Sequence, residues 1–237
     1  MTAHAGILRL EGNLSAASAE VRKNAILTGE GSLEHLTATG GGLSPGQNGH
    51  GVLVCEDLTL RRDPVTQAPS VLSMDAAAPA PLSKHDRVTA SHSVTLDGVV
   101  FEPLIDPSLP PGLFVILINN TAAGPIGGVF AGLPEGATVD YCGIPLRITY
   151  TGGDGNDMAV TRLPAPLVIT ALVPIVDGTV KLFVTGPPNQ MLTIEASDDL
   201  ESWQQLTSFP ITAGGTAAWL DNDAPSHPQR FYRCYLP

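Results

Sequence analysis

Several stretches of the chain pair the right residue types with a spacing that could do chemistry. Gly42-Leu43-Ser44-Pro45-Gly46 fits G-x-S-x-G, the turn that presents a serine nucleophile. That turn needs the amide N–H after the serine as an oxyanion donor, and Pro45 has none. Ser44 therefore reads as a structural corner. Gly152-Gly153-Asp154-Gly155-Asn156-Asp157 fits the start of G-G-x-G-x-D, a calcium-binding repeat. Asp154, Asn156 and Asp157 would supply the oxygens that calcium takes, and calcium is the only cofactor the chain suggests. A full set of six or more ligands comes from adjacent copies of the motif, and here there is one copy, with Ala159 where a larger apolar residue is expected. The competing reading is a Gly-rich hairpin whose Asx side chains bond their own backbone, and it is favoured.

His85-Asp86 has the order of a general base and its orienting carboxylate, but no nucleophile can be placed beside it. The six histidines (His4, His35, His50, His85, His92, His227) lack H-E-x-x-H spacing and zinc-spaced cysteine partners, so they read as surface polar groups. Trp203 and Trp219 could each form an aromatic platform for carbohydrate; the simpler reading places both in a core. Asp198, Asp199 and Glu201 read as a solvated turn. Neither a P-loop nor a dinucleotide fingerprint occurs, and no catalytic residue is assigned.

The chain's totals narrow the field further. Of 237 residues, 43% are hydrophobic, enough to bury a core and to exclude global disorder. Aromatics are scarce at 5%, while Gly (25) and Pro (21) are abundant, which suits short strands and tight turns. A formal charge of −11 with only 12 Lys plus Arg argues against nucleic acid and against anionic membrane surfaces. No apolar run is long enough to span a bilayer, and Met1–Asn13 lacks the pattern of a secretory signal. Three cysteines (Cys55, Cys142, Cys234) are too few and scattered for a disulfide framework and read as partly buried thiols.

These features must be positioned by strands. Gly6–Gly12, Ala25–Gly31 and Gly51–Cys55 are apolar runs beside glycine, recurring roughly every twenty residues, a repeat period found in stacked architectures. One such unit cannot bury its own face, so successive turns stack. Val71–Met74 reads as a strand and Ala76–Pro81 as a surface loop. Alternation in Val115–Leu117, Leu146–Tyr150 and Met158–Val160, punctuated by Gly, Pro, Asn and Asp, predicts short strands joined by tight turns. Pro164 and Pro166 mark a linker over 164–166. Beyond it the strand candidates are Val180–Val184, Met191–Ala196, Gln204–Leu206, Ala217–Leu220 and Arg230–Leu236, with the turn spacing of a small β-sandwich.

Gly112–Asn119, Gly128–Ala137 and Ile148–Asp157 together resemble the closing segment of the autotransporter-associated β-strand repeat of bacterial surface proteins. Gly6–Leu14, Ala25–Gly31 and Leu43–Gly49 resemble the family's rung motifs, and His85-Asp86 with Val94–Gly98 resembles a further step, with His85 where the family has Tyr. From about Gly178 to Leu236, chiefly at Ala196–Trp203 and Phe231–Arg233, the chain is similar to a fibronectin type III-like C-terminal module of large secreted bacterial proteins. The resemblance implies an all-β chain: a right-handed parallel β-helix with closing strands over 1–163, then a β-sandwich over 167–237. It implies a non-catalytic stalk, capped or tethered by the second domain, outside the cell or on its surface. Since the chain shows no signal peptide, it also implies a piece of a longer protein. The partners expected are extracellular carbohydrate or cell-envelope components, with no nucleic acid and no membrane insertion. The alternatives are a carbohydrate- or calcium-binding surface module and, with little support from its Thr-, Ser- and Ala-rich rungs, a polysaccharide-cleaving enzyme.

Overall fold

The computed structural model describes residues 1–46, 50–76, 85–106 and 109–237, and all their side chains except those of residues 15 and 16. Residues 77–81 of the loop expected at Ala76–Pro81, and residues 47–49 of the Leu43–Gly49 corner, lie outside the described residues. The chain is all-β. It divides into two compact units, Met1–Leu163 and Pro164–Pro237. Among the described residues, no helix is long and apolar enough to cross a membrane.

Among the described residues the first unit holds thirteen strands: β1 (Thr2–Ala3), β2 (Gly6–Arg22), β3 (Ala25–Thr39), β4 (Gly42–Pro45), β5 (Val52–Arg61), β6 (Val71–Ala76), β7 (Arg87–Asp97), β8 (Val100–Ile105), β9 (Phe114–Asn120), β10 (Gly127–Val129), β11 (Thr138–Tyr141), β12 (Ile144–Gly152) and β13 (Asp157–Arg162). Two parallel ladders organise them. One runs β2-β3-β5-β7-β9 and the other branches from it as β3-β4-β6-β8. The strands are longer than the sequence runs suggest. β3, for example, passes straight through Gly29 and Gly31, whose positive φ bends the strand without ending it.

In-register parallel pairing stacks like upon like. Ala19, Leu36, Leu58 and Val94 form one buried column, and Val21, Ala38, Leu60 and Leu96 form the next. Leu27, Leu43, Leu72 and Phe101 form a third along the other ladder. Neighbouring strands lie about 4.8 Å apart, so each side chain rests on those before and after it. A fully buried Leu contributes about 1.5–3 kcal/mol over an exposed one. This column packing is the main source of stability for the unit.

The parallel ladder ends in antiparallel strands. β9 pairs in parallel with β7 on one side and antiparallel with β13 on the other, and β12 and β11 continue outward. The loop between β10 and β11 is tied to this meander by specific groups. Tyr150 Oη accepts the Phe130 N–H at 2.9 Å and donates to the Leu133 carbonyl at 2.7 Å. Glu135 accepts from the Thr149 hydroxyl at 2.7 Å and the Tyr150 N–H at 2.6 Å. The Phe130 ring stacks on Phe101 with centroids 4.8 Å apart. The residues that carry the family resemblance thus act as packing and hydrogen-bonding groups.

Asp86 links the two ladders. Its carboxylate accepts the N–H of Gly51, just before β5, at 2.8 Å and the N–H of Asp75, in β6, at 2.7 Å. Burial pushes this carboxyl up to about 6, although the two backbone bonds pull the other way. An unfolded Asp releases its proton near pH 4. Between about pH 4 and 6 the native state therefore binds more protons than the unfolded state, and stability falls as pH rises through that window. The expected loss is about 2 kcal/mol. It is read as the difference between urea midpoints of wild type and Asp86→Asn measured from pH 4 to 6.5. Parallel profiles in the two proteins would refute the assignment.

The second unit contains β14 (Val168–Pro174), β15 (Val180–Thr185), β16 (Met191–Ser197), β17 (Gln204–Pro210), β18 (Thr216–Asp221) and β19 (Phe231–Tyr235), with a short 3-10 turn at Ala224–Ser226. They form two antiparallel three-stranded sheets, β14-β15-β18 and β17-β16-β19. Leu182, Val184 and Ala217 from the first sheet and Leu192 and Ile194 from the second share one buried cluster with Ile211. β14 lies just past the 164–166 linker and is not among the strand candidates; Pro164 and Pro166 precede it and Pro174 ends it.

Candidate functional site

The most developed polar site lies in the second unit, around Trp203. It starts with the turn that leaves β16. Asp199 Oδ1 accepts the N–H groups of Glu201 (2.8 Å) and Ser202 (2.7 Å) and the Ser197 hydroxyl (2.9 Å). Those bonds hold its carboxyl down at about 2, the backbone donors contributing most. Leu200 takes a left-handed backbone at φ 66°, and its carbonyl accepts the Trp203 indole N–H at 3.2 Å. The expected solvated turn is thus an ordered scaffold, and it fixes Trp203. The indole is half-buried, with the Arg233 guanidinium 4.2 Å from its ring centroid and Arg233 itself paired to Glu195 at 2.6 Å.

The segment between β18 and β19 supplies the rest. His227 contacts Asp198 through Nδ1 at 2.7 Å and Asp223 through Nε2 at 3.3 Å. The Asp198 bond is the main reason its pKa is raised. Arg230 is buried, its side chain only 7% exposed, with Nε 2.8 Å from Asp221 Oδ2. That contact is an ion pair without hydrogen-bond alignment, and Nη1 has no hydrogen-bond partner. The Tyr232 hydroxyl donates to the same Asp221 oxygen at 2.9 Å. Ser197, Asp198, Trp203, Gln204, His227 and Arg230 border a cleft of about 270 Å³. Trp219 is elsewhere: it is half-buried against the unit's apolar cluster and pairs with Leu182.

The Gly152–Asp157 turn joins β12 to β13 as an antiparallel hairpin. Asp157 is 3% exposed, and its Oδ1 accepts the Asn120 N–H at 2.7 Å. Burial raises its pKa. The Asn156 side-chain amide donates to the carbonyls of Ala122 at 2.6 Å and Gly124 at 3.2 Å. Two of the three candidate calcium ligands are therefore engaged in tying the hairpin to β9 and the segment after it, while Asp154 is exposed. Among the described residues, no group of three or more His, Cys, Asp and Glu side chains is placed to hold a metal ion. Asp157→Ala would leave the buried Asn120 N–H without its acceptor. The expected cost is about 1–3 kcal/mol, read as a lower melting temperature of the same size with and without calcium. A loss seen only with calcium present would instead make the turn a metal site.

The remaining sequence candidates separate. Ser44 lies in β4, paired in parallel with Thr28, and Gly46 closes the strand by exchanging backbone hydrogen bonds with Gly29. His85 contacts the Ile116 carbonyl through Nε2 at 3.0 Å, while Asp86 accepts from the backbone N–H groups of Gly51 and Asp75. The cysteines are free: Cys55 is buried, its thiol pushed up to about 12 chiefly by burial, and Cys234 is half-buried. Cys142 is exposed rather than partly buried, because it takes the left-handed position, φ 53°, of the β11–β12 turn.

One cluster had no sequence signal. Asp57, in β5, meets His35 Nδ1 from β3 at 2.8 Å, His92 Nδ1 from β7 at 2.7 Å and the Ser93 hydroxyl, also from β7, at 2.5 Å. The Ser93 bond leads in lowering the Asp57 pKa. Both imidazoles and the hydroxyl converge on one carboxylate, to which Ser93 donates its proton. Only the register that pairs His35 with Asp57 and Asp57 with Ser93 brings these groups together.

No model of a known protein family, no curated protein and no solved structure matches this chain.

Proposed function

We propose that this chain is a non-catalytic structural and adhesive segment of a secreted or cell-surface bacterial protein. In this reading the first unit is a right-handed parallel β-helix that serves as a stalk, and the second is a small β-sandwich module. The observation that carries the reading is the run of in-register parallel ladders, with buried Leu, Val and Ala stacked in columns over successive strands. Such a ladder spends its side chains on holding a shape, and the antiparallel strands β13, β12 and β11 cover an edge that would otherwise invite pairing with other chains. The resemblance at Gly112–Asp157 supports the same assignment. Its partners would be cell-envelope components or extracellular carbohydrate.

The test is immunolabelling of intact cells of the producing bacterium before and after protease shaving, combined with an assay of the purified chain on polysaccharides. Label on intact cells that shaving removes, with no release of reducing sugar, is the expected result. Label seen only after lysis would overturn the surface assignment. Sugar release would overturn the non-catalytic one.

A further inference from the structure

We propose that the cleft beside Trp203 binds one ring of a neutral carbohydrate, with the sugar against the indole and its hydroxyls held by Asp198 and Gln204. This deepens the proposed function by naming the class of its carbohydrate partner and rests on that part of the reading; because the evidence comes from the second unit alone, its failure would leave the stalk role standing.

Four observations converge. The first is the aromatic surface. Trp203 is only half-buried, its N–H is already satisfied by Leu200, and Arg233 covers the ring at 4.2 Å. The part of the indole that Arg233 leaves uncovered borders the cleft as an apolar surface with no unmet polar demand, which suits the C–H face of a pyranose. The second is the pair of polar groups at the rim, the Asp198 carboxylate and the Gln204 amide, both at exposed positions bordering the cleft. A sugar hydroxyl can donate to the carboxylate, and it can donate to or accept from the amide.

The third is the balance of charge. Of the charged groups bordering the cleft, Asp198 and Asp199 outnumber Arg230, and His227 is shared between Asp198 and Asp223. An anionic sugar or a phosphate would meet repulsion. A neutral polyol does not, because its hydroxyls can donate to the carboxylates. The fourth is size. At about 270 Å³ the cleft is just under the roughly 300–1,000 Å³ of sites for drug-sized ligands, which leaves room for a single ring. The scaffold is also preorganised, since Asp199 and Ser197 hold the turn through backbone bonds that a ligand need not disturb.

The test screens the full chain on a printed array of neutral and acidic glycans. The tightest neutral oligosaccharide is then titrated calorimetrically, and by tryptophan emission in a Trp219→Phe background so that the signal reports Trp203. Saturable binding of a neutral glycan is expected, with affinity about tenfold weaker in Trp203→Ala and largely kept in Trp203→Tyr. Should Trp203→Ala fail to fold, Asp198→Ala and Gln204→Ala, both at exposed positions, are each expected to weaken binding by about threefold or more. Absence of any neutral-glycan binding overturns the proposal. So does binding that these substitutions leave unchanged, and so does a preference for acidic glycans.

Discussion

Gly29→Ala is expected to destabilise the first unit by roughly 3–5 kcal/mol. Gly29 sits inside β3 at φ 109°, a backbone region that L side chains rarely adopt. A Cβ there would lie 2.1 Å from the Leu10 carbonyl oxygen on the neighbouring strand. On its other side the residue exchanges two backbone hydrogen bonds with Gly46, at 3.1 and 2.8 Å. The strand cannot shift away from Leu10 without loosening that exchange. Gly12→Ala is the matched control, because Gly12 has φ 80° but open space where the Cβ would go. It carries the strain alone, about 1–2 kcal/mol. Urea midpoints of the two variants compare the effects directly, and equal losses would mean that the close approach at Leu10 contributes nothing.

Leu58→Ala should cost about 2–5 kcal/mol, the second largest single-residue effect. Leu58 has no exposed surface and stands between Leu36 and Val94 in its column. The cavity would open in the middle of a ladder whose strands support one another chiefly through their neighbours, so both contacts weaken together. Hydrogen exchange should show lost protection spreading from β5 into β3 and β7 while β16 and β19 keep theirs. Loss confined to β5 would argue against column packing as the source of stability.

Much of this architecture is legible in residue types. Leu146, Ile148 and Tyr150 alternate because β12 buries one face, and all three are inside. Gly152 to Asp157 reads as a hairpin because Gly153 and Gly155 supply the positive φ a tight turn needs. Other features are hidden because they are made by register. Neither His35 nor Ser93 announces that it will share a carboxylate with His92, since the pairing spans three strands far apart in sequence. β14 is obscured by its flanking prolines, and the cleft residues Arg230 and His227 come from a segment with no motif of its own.

What local composition determined by itself is the all-β character and the positions of most strands and turns. Alternation, glycine and proline act over a few residues, and the chain carries those constraints wherever it folds. Only the tertiary structure decided which strands pair, which carboxylates are buried, and that Trp203 borders a polar cleft while Trp219 packs on a core. Those outcomes depend on contacts between residues distant in sequence, and the free energy of a buried charge or a stacked ring exists only once its neighbours have arrived.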